Sequence, residues 1–139
     1  MKFTRTGSAH WEGTGKDGKG TVATESTVLN NAPYSFKTRF EGTPGTNPEE
    51  LLGAAHAGCF TMKLSFVLSE KGFVPGSLDT SAKVTFQDGR ITQVHLDLRA
   101  SVDGITEEQF QEAANEAKAN CPVSLLFNAE ITLSATLVK

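Results

Sequence analysis

A chain of 139 residues is about one domain's worth, since single domains run from about 100 to 200 residues, and one domain over 1–139 without a linker is the expectation. Its hydrophobic fraction is 38% before the 13 glycines are counted, an ordinary globular composition that argues against disorder. Charged residues make up 21% and the formal net charge is -3, so the basic field that nucleic acid or an anionic membrane requires is missing.

Nucleic acid is therefore not expected as a partner. No uninterrupted run approaches the roughly 18 apolar residues of a membrane span, and MKFTRTGSAH at the start holds no stretch like a signal peptide. A cytoplasmic address follows as an expectation.

Two β-leaning stretches, 8–13 and 21–29, flank Gly15-Lys16-Asp17-Gly18-Lys19-Gly20, where Asp17-Gly18 signals a hairpin. A third short strand over 34–40 is expected after the Asn30-Asn31-Ala32-Pro33 turn. Thr46-Asn47-Pro48-Glu49-Glu50 is the clearest helix start, with Asn47 as N-cap, Pro48 at the first helical position and two acids favouring the dipole. Over 51–68 the apolar residues fall nearly all round the helix, which predicts burial on most sides. Gly53, Ala54, Ala55, Ala57 and Gly58 would let another backbone approach closely, Gly72 is a plausible stop, and a second subunit is one source of the cover.

A half-exposed hairpin is predicted from 77–87 and 90–102 around Asp88-Gly89. Thr106-Glu107-Glu108-Gln109 is a capping box opening a helix to about Asn120. Cys121-Pro122 then restarts the chain into a short helix over 123–127, before a last strand over 130–138 with Ile131, Leu133, Ala135 and Leu137 facing in. These elements add up to an α+β fold with mainly antiparallel sheets.

Gly13-Thr14-Gly15-Lys16-Asp17-Gly18 matches a dinucleotide-binding pattern, but a strand rather than a helix follows it, so it reads as a hairpin loop. His10, His56 and His95 do not stand at metal-ligand spacing, and no metal site is expected. Trp11 and the nine phenylalanines are assigned mostly to the core. No serine occupies a G-x-S-x-G elbow, which disfavours a serine hydrolase.

Two cysteines, Cys59 and Cys121, exclude a disulfide-dense scaffold and the C-x-x-C zinc spacing. Cys59 in mid-helix is ordinarily a small inert hydrophobe. His56, three residues earlier, is either a packing histidine, the commoner case, or a base beside a thiol. Cys121 stands at a helix junction before Pro122, where its own N–H and those of the following turn are expected to be aimed at whatever lies there, a setting that can favour a thiolate. The pair is a peroxidatic and resolving couple or a coincidence of burial.

Arg39-Phe40-Glu41-Gly42, the run from Thr46 through Ala54-Ala55-His56-Ala57-Gly58-Cys59-Phe60, and Cys121-Pro122-Val123-Ser124 closely resemble the OsmC/Ohr family. The two cysteine motifs, correctly ordered and spaced, form a specific signal, and the likeness runs from Ala9-His10-Trp11-Glu12-Gly13 to the final strand. The wording is closer to the osmotically inducible OsmC branch than to the Ohr branch, with Gly58 where alanine is common. The resemblance implies an OsmC-like fold, with antiparallel sheets around a long buried central helix in an intertwined homodimer. It implies a thiol peroxidase reducing organic hydroperoxides in oxidative and osmotic stress defence. It also implies that Cys59 is peroxidatic, Cys121 resolving, Arg39 with Glu49 the activating pair, and a dithiol such as a dihydrolipoyl group the reductant. No bound cofactor is called for.

The chemistry is consistent with those roles. An ordinary thiol is only a few per cent thiolate at neutral pH, and a guanidinium held by a bidentate carboxylate stabilises the thiolate and the charge built in O–O cleavage. Glu49 and Cys59 are ten positions apart, however, about 15 Å along one straight helix. Arg39 spans the gap, the helix breaks near its start, or two helices pack antiparallel across a dimer, and the dimer is the preferred expectation. The apolar neighbours Phe60, Met62, Leu125 and Phe127 suit alkyl, aryl or lipid hydroperoxides. Two rival readings are a non-enzymatic dimeric domain binding a small apolar ligand, marked by inert thiols, and a redox sensor without turnover.

Overall fold

The computed structural model describes residues 1–138. In chain order the elements are β1 (Gly7–Glu12), β2 (Lys19–Thr24), β3 (Ala32–Tyr34), α1 (Phe36–Phe40), α2 (Pro48–Glu70), β4 (Pro75–Gln87), β5 (Arg90–Val102), α3 (Glu107–Asn120), α4 (Pro122–Leu126) and β6 (Glu130–Leu137). The class is α+β, as expected. Two compact units are formed, the first Met1–Leu51 and the second from Leu52 onward.

In the first unit β1, β2 and β3 form an antiparallel sheet in that order. Glu12 pairs with Lys19, so the glycine-rich run between them is a hairpin loop. Trp11 packs on Tyr34 with ring centroids 5.3 Å apart. The strand expected over 34–40 is not formed. Pairing stops at Tyr34, and Ser35 opens α1 through a reciprocal cap. The Thr38 N–H donates to Ser35 Oγ at 3.2 Å, and the Ser35 N–H donates to Thr38 Oγ1 at 2.7 Å. Local side-chain bonds of this kind offer the backbone a helical start that overrides the β-leaning composition of Tyr34 to Phe40.

The second unit holds the sheet β4-β5-β6. Asp88 and Gly89 take φ of 51° and 79°, the left-handed pair of a tight hairpin turn, and join β4 to β5. The β5–β6 pair is parallel, a departure from the otherwise antiparallel pairing, because α3 and α4 form the crossover that parallel strands require. Val94, Leu96, Leu98, Ala100 and Val102 of β5 share a core with residues of α2 and α3. Gly53 lets α2 settle close to β4, since a Cβ there would stand 3.1 Å from the Ala82 carbonyl oxygen.

Helix α2 begins as expected, with Asn47 Oδ1 accepting from the Glu50 N–H at 2.8 Å. By length and composition it is apolar enough to cross a membrane, yet here it packs by one face. Gly53, His56, Phe60, Leu64, Val67 and Leu68 are buried, at the spacing of one helical stripe. Met62 and Phe66, 65% and 60% exposed, lie on the other side with Gly58. Burial on most sides is thus not achieved within one chain. The aromatic expectation also needs correction, because Phe60 and Phe110 are fully buried while Phe3, Phe40, Phe66 and Phe86 are exposed.

Candidate active site

Arg39 and Glu49 meet in the first unit. The capped turn of α1 presents Arg39, the first turn of α2 presents Glu49, and Arg39 Nε donates to Glu49 Oε1 at 2.6 Å. The contact is made through one oxygen. Glu49 Oε2 is buried without a hydrogen-bond partner, so the expected two-oxygen fork is not the geometry found. The Arg39 guanidinium also lies over the Phe40 ring, 5.2 Å from its centroid. The ion pair still fixes the guanidinium's position.

The two cysteines meet in the second unit. Cys59 is half-buried and Cys121 is fully buried, and both are free thiols. Their side chains lie close enough for each thiol to act on the other. The Cys121 N–H is not available to a thiolate, because it closes α3 by donating to the Ala117 carbonyl at 2.9 Å. The backbone N–H that acts on Cys59 belongs to Val123, in the first turn of α4. Burial pushes the Cys59 thiol above its ordinary pKa, and the neighbouring Cys121 thiol pushes the same way. The Val123 N–H and the charge of Lys63 pull it down without reversing that direction. The site within one chain therefore favours a protonated Cys59.

His56 is fully buried and packs its ring against Phe127, with centroids 5.4 Å apart. Its Nε2 is 2.7 Å from Ser124 Oγ, and its Nδ1 has no partner. Placing the proton on Nε2 leaves Nδ1 as a bare acceptor, whereas the other tautomer would strand a buried donor. His56 is the packing histidine of the commoner reading, but with one polar bond to the Cys121 turn. Sequence reasoning assigned no role to Val123, Lys63 or Ser124. Ser124 was visible in the Cys-Pro-x-Ser motif, but its partner lies 68 positions away.

A groove of about 710 Å³ runs beside the exposed face of α2, lined by Ala57, Gly58, Met62, Pro75 and Thr80 among others. Neither cysteine lines it. Of the apolar neighbours expected around the thiols, Phe60 is core, Phe127 is half-buried, and Met62 and Leu125 are open to solvent.

An α+β frame that brings two free thiols into contact, one of them half-open to solvent, defines a dithiol redox protein. The family model for OsmC-like protein matches residues 40–136. The chain is 52% identical to Peroxiredoxin OsmC of Escherichia coli strain K12 over 99% of both chains. It is 32% identical, over 69% of both, to an organic hydroperoxide resistance protein of Xanthomonas axonopodis pv. citri. The crystal structure of the organic hydroperoxide resistance protein OhrB of Bacillus subtilis shares the fold, with a TM-score of 0.70 and 23% identity over 98% of each chain. The chain belongs to the OsmC family.

Proposed function

We propose that this chain is a cysteine peroxidase that reduces organic hydroperoxides to alcohols, with Cys59 peroxidatic and Cys121 resolving. The observation that carries the reading is the proximity of a half-exposed Cys59 thiol to a buried Cys121 thiol. A peroxide from solvent meets Cys59 first, and the product of that encounter forms in contact with Cys121. The Cys59 thiolate attacks a peroxide oxygen, the O–O bond breaks, and the alkoxide leaves as alcohol after taking a proton. Cys59 sulfenic acid then condenses with the Cys121 thiol to a disulfide and water. An external dithiol, for which a dihydrolipoyl group is the candidate, restores both thiols. The cycle calls for no bound cofactor, and the cytoplasm is the proposed compartment because its reducing poise keeps such thiols free.

Cys59 needs a cation to become a thiolate, since burial raises its pKa. Arg39, oriented by Glu49, is that cation in this reading. The preferred route is a homodimer in which one subunit's Arg39 and Glu49 serve its partner's Cys59. The exposed apolar face with Met62 and Phe66 supports such a partner. A dimer would also enclose Met62 and Leu125 near the thiols. Cumene hydroperoxide is then expected to turn over faster than hydrogen peroxide, because buried apolar tail gains about 25 cal/mol per Å².

The test is to mix fully reduced protein with one equivalent of cumene hydroperoxide, then record the intact mass and a non-reducing peptide map. Loss of two hydrogens with a Cys59–Cys121 crosslink is expected. Cys59→Ser should abolish turnover, while Cys121→Ser should consume one equivalent of peroxide and stop. Unchanged thiols in the wild-type protein would defeat the reading and favour a ligand-binding domain.

A further inference from the structure

We infer that His56 and Ser124 are a positioning pair that aligns the two thiols for disulfide formation, a conclusion that rests on the peroxidase reading above. The argument begins with α4. That helix has five residues, none of them buried, and its N-cap Cys121 makes no side-chain capping bond. Leu125 and Leu126 are 69% and 74% exposed, so burial of α4 itself contributes little to its placement. Its attachments are the buried Cys121, the half-buried Val123 and Phe127, and the 2.7 Å bond between Ser124 Oγ and His56 Nε2.

The attachments form two rungs. His56 precedes Cys59 by three residues on α2, and Ser124 is the third residue of α4, whose N-cap is Cys121, so that cap and third residue stand side by side as in a capping box. Residues three apart on a helix share a face. One rung is therefore the adjacent pair Cys59 and Cys121 and the other the bond between His56 and Ser124. A single contact between two elements sets a distance but leaves rotation about it free. The second rung sets the rotation. His56 is suited to this because it is fully buried on a core helix and braced by Phe127, so its nitrogen does not wander.

The step that needs this alignment is resolution. The Cys121 sulfur attacks the Cys59 sulfenic sulfur, the S–O bond breaks as the S–S bond forms, and the Cys121 proton leaves with hydroxide as water. Cβ–S–S–Cβ geometry is narrow in distance and dihedral, whereas attack of a peroxide on Cys59 from solvent depends on α4 only through the Val123 N–H, one of the smaller influences on the thiol. Loss of the second rung therefore slows the second step selectively. The sulfenic acid then survives long enough to meet another peroxide and advance to sulfinic acid.

The experiment measures both steps in rapid-quench mixing with cumene hydroperoxide, following peroxide loss for the first and disulfide mass for the second. For Ser124→Ala and His56→Phe, disulfide formation is expected to fall about tenfold to a hundredfold, as small misplacements in catalysis do. Peroxide attack should stay within about threefold of wild type, a split that general destabilisation would not produce. Excess peroxide should accumulate Cys59 sulfinic acid in both variants. Ser124→Thr, which keeps the hydroxyl, should restore resolution, and the double variant should be no slower than either single one. Resolution at the wild-type rate in Ser124→Ala, or both steps falling together, would overturn the inference. A wild-type protein that forms no disulfide would defeat the parent reading, whereas a wild-type disulfide with unaffected variants would defeat this inference alone.

Discussion

Two side chains carry charge arguments that can be tested separately. Burial lowers the His56 pKa, so the folded state holds a neutral imidazole that the unfolded chain would protonate near its ordinary value of about 6.5. The stability gained from a neutral His56 is complete above that value and is lost as pH falls through the lower folded value. Urea midpoints measured from pH 7.5 down to 5 should fall less steeply in His56→Gln than in wild type. Arg39 is tested by kinetics. In the proposed mechanism it stabilises a thiolate that burial disfavours, so Arg39→Gln should lower kcat/KM for cumene hydroperoxide by about 10² to 10³, the loss expected for one well-placed charge donor. The Cys59 pKa, read from the pH dependence of alkylation, should rise in the same variant. An unchanged alkylation profile would remove Arg39 from the site. Legibility differs between these residues: the motifs pointed to Cys59, Cys121, Arg39 and Glu49, whereas the His56–Ser124 bond is invisible in a sequence that separates its ends by 68 positions.

Among the elements, those with strong local signals form where expected. Thr106 closes its reciprocal box with Gln109, the Gln109 N–H donating to Thr106 Oγ1 at 3.1 Å and the Thr106 N–H to Gln109 Oε1 at 3.0 Å. The predicted strand over 90–102 coincides with β5, since alternation of apolar and polar residues is itself the cause of a half-buried strand. The exception is α1. There a serine cap and a threonine three residues on decide a five-residue helix, too short for any periodic signal. Helix α2 presents two kinds of apolar position that composition cannot distinguish. Leu64 is fully buried and Met62 is 65% exposed. Leu64→Ala should cost about 2 to 5 kcal/mol, the range for truncating a buried leucine. Met62→Ala in a monomeric state should cost less than about 0.5 kcal/mol, as an exposed position does. Chemical denaturation of dilute protein would compare the two directly, and equal losses would contradict the one-sided burial of α2.

For the whole molecule, the apolar face of α2 is the feature that one chain leaves unsatisfied. If a second copy covers it, as proposed, an acidic side chain there should separate the subunits and silence the enzyme together, because Arg39 and Cys59 would then belong to different chains. Phe66→Asp should shift the sedimentation coefficient to that of a monomer and abolish peroxide turnover. A monomer that keeps full activity would sink the dimeric site. The sequence by itself determined the α+β class, the order of the elements other than α1 with most of their boundaries, and the two cysteine motifs that place the chain in its family. These are decided by local caps, turn residues and periodic patterns, all written within a few residues of one another. Tertiary structure alone decided which face of an all-round apolar helix is buried, which backbone N–H acts on Cys59, and which serine bonds His56. Those depend on contacts between residues distant in the chain, and their partners are chosen by the packing of α2, α4 and the sheet rather than by any neighbouring residue.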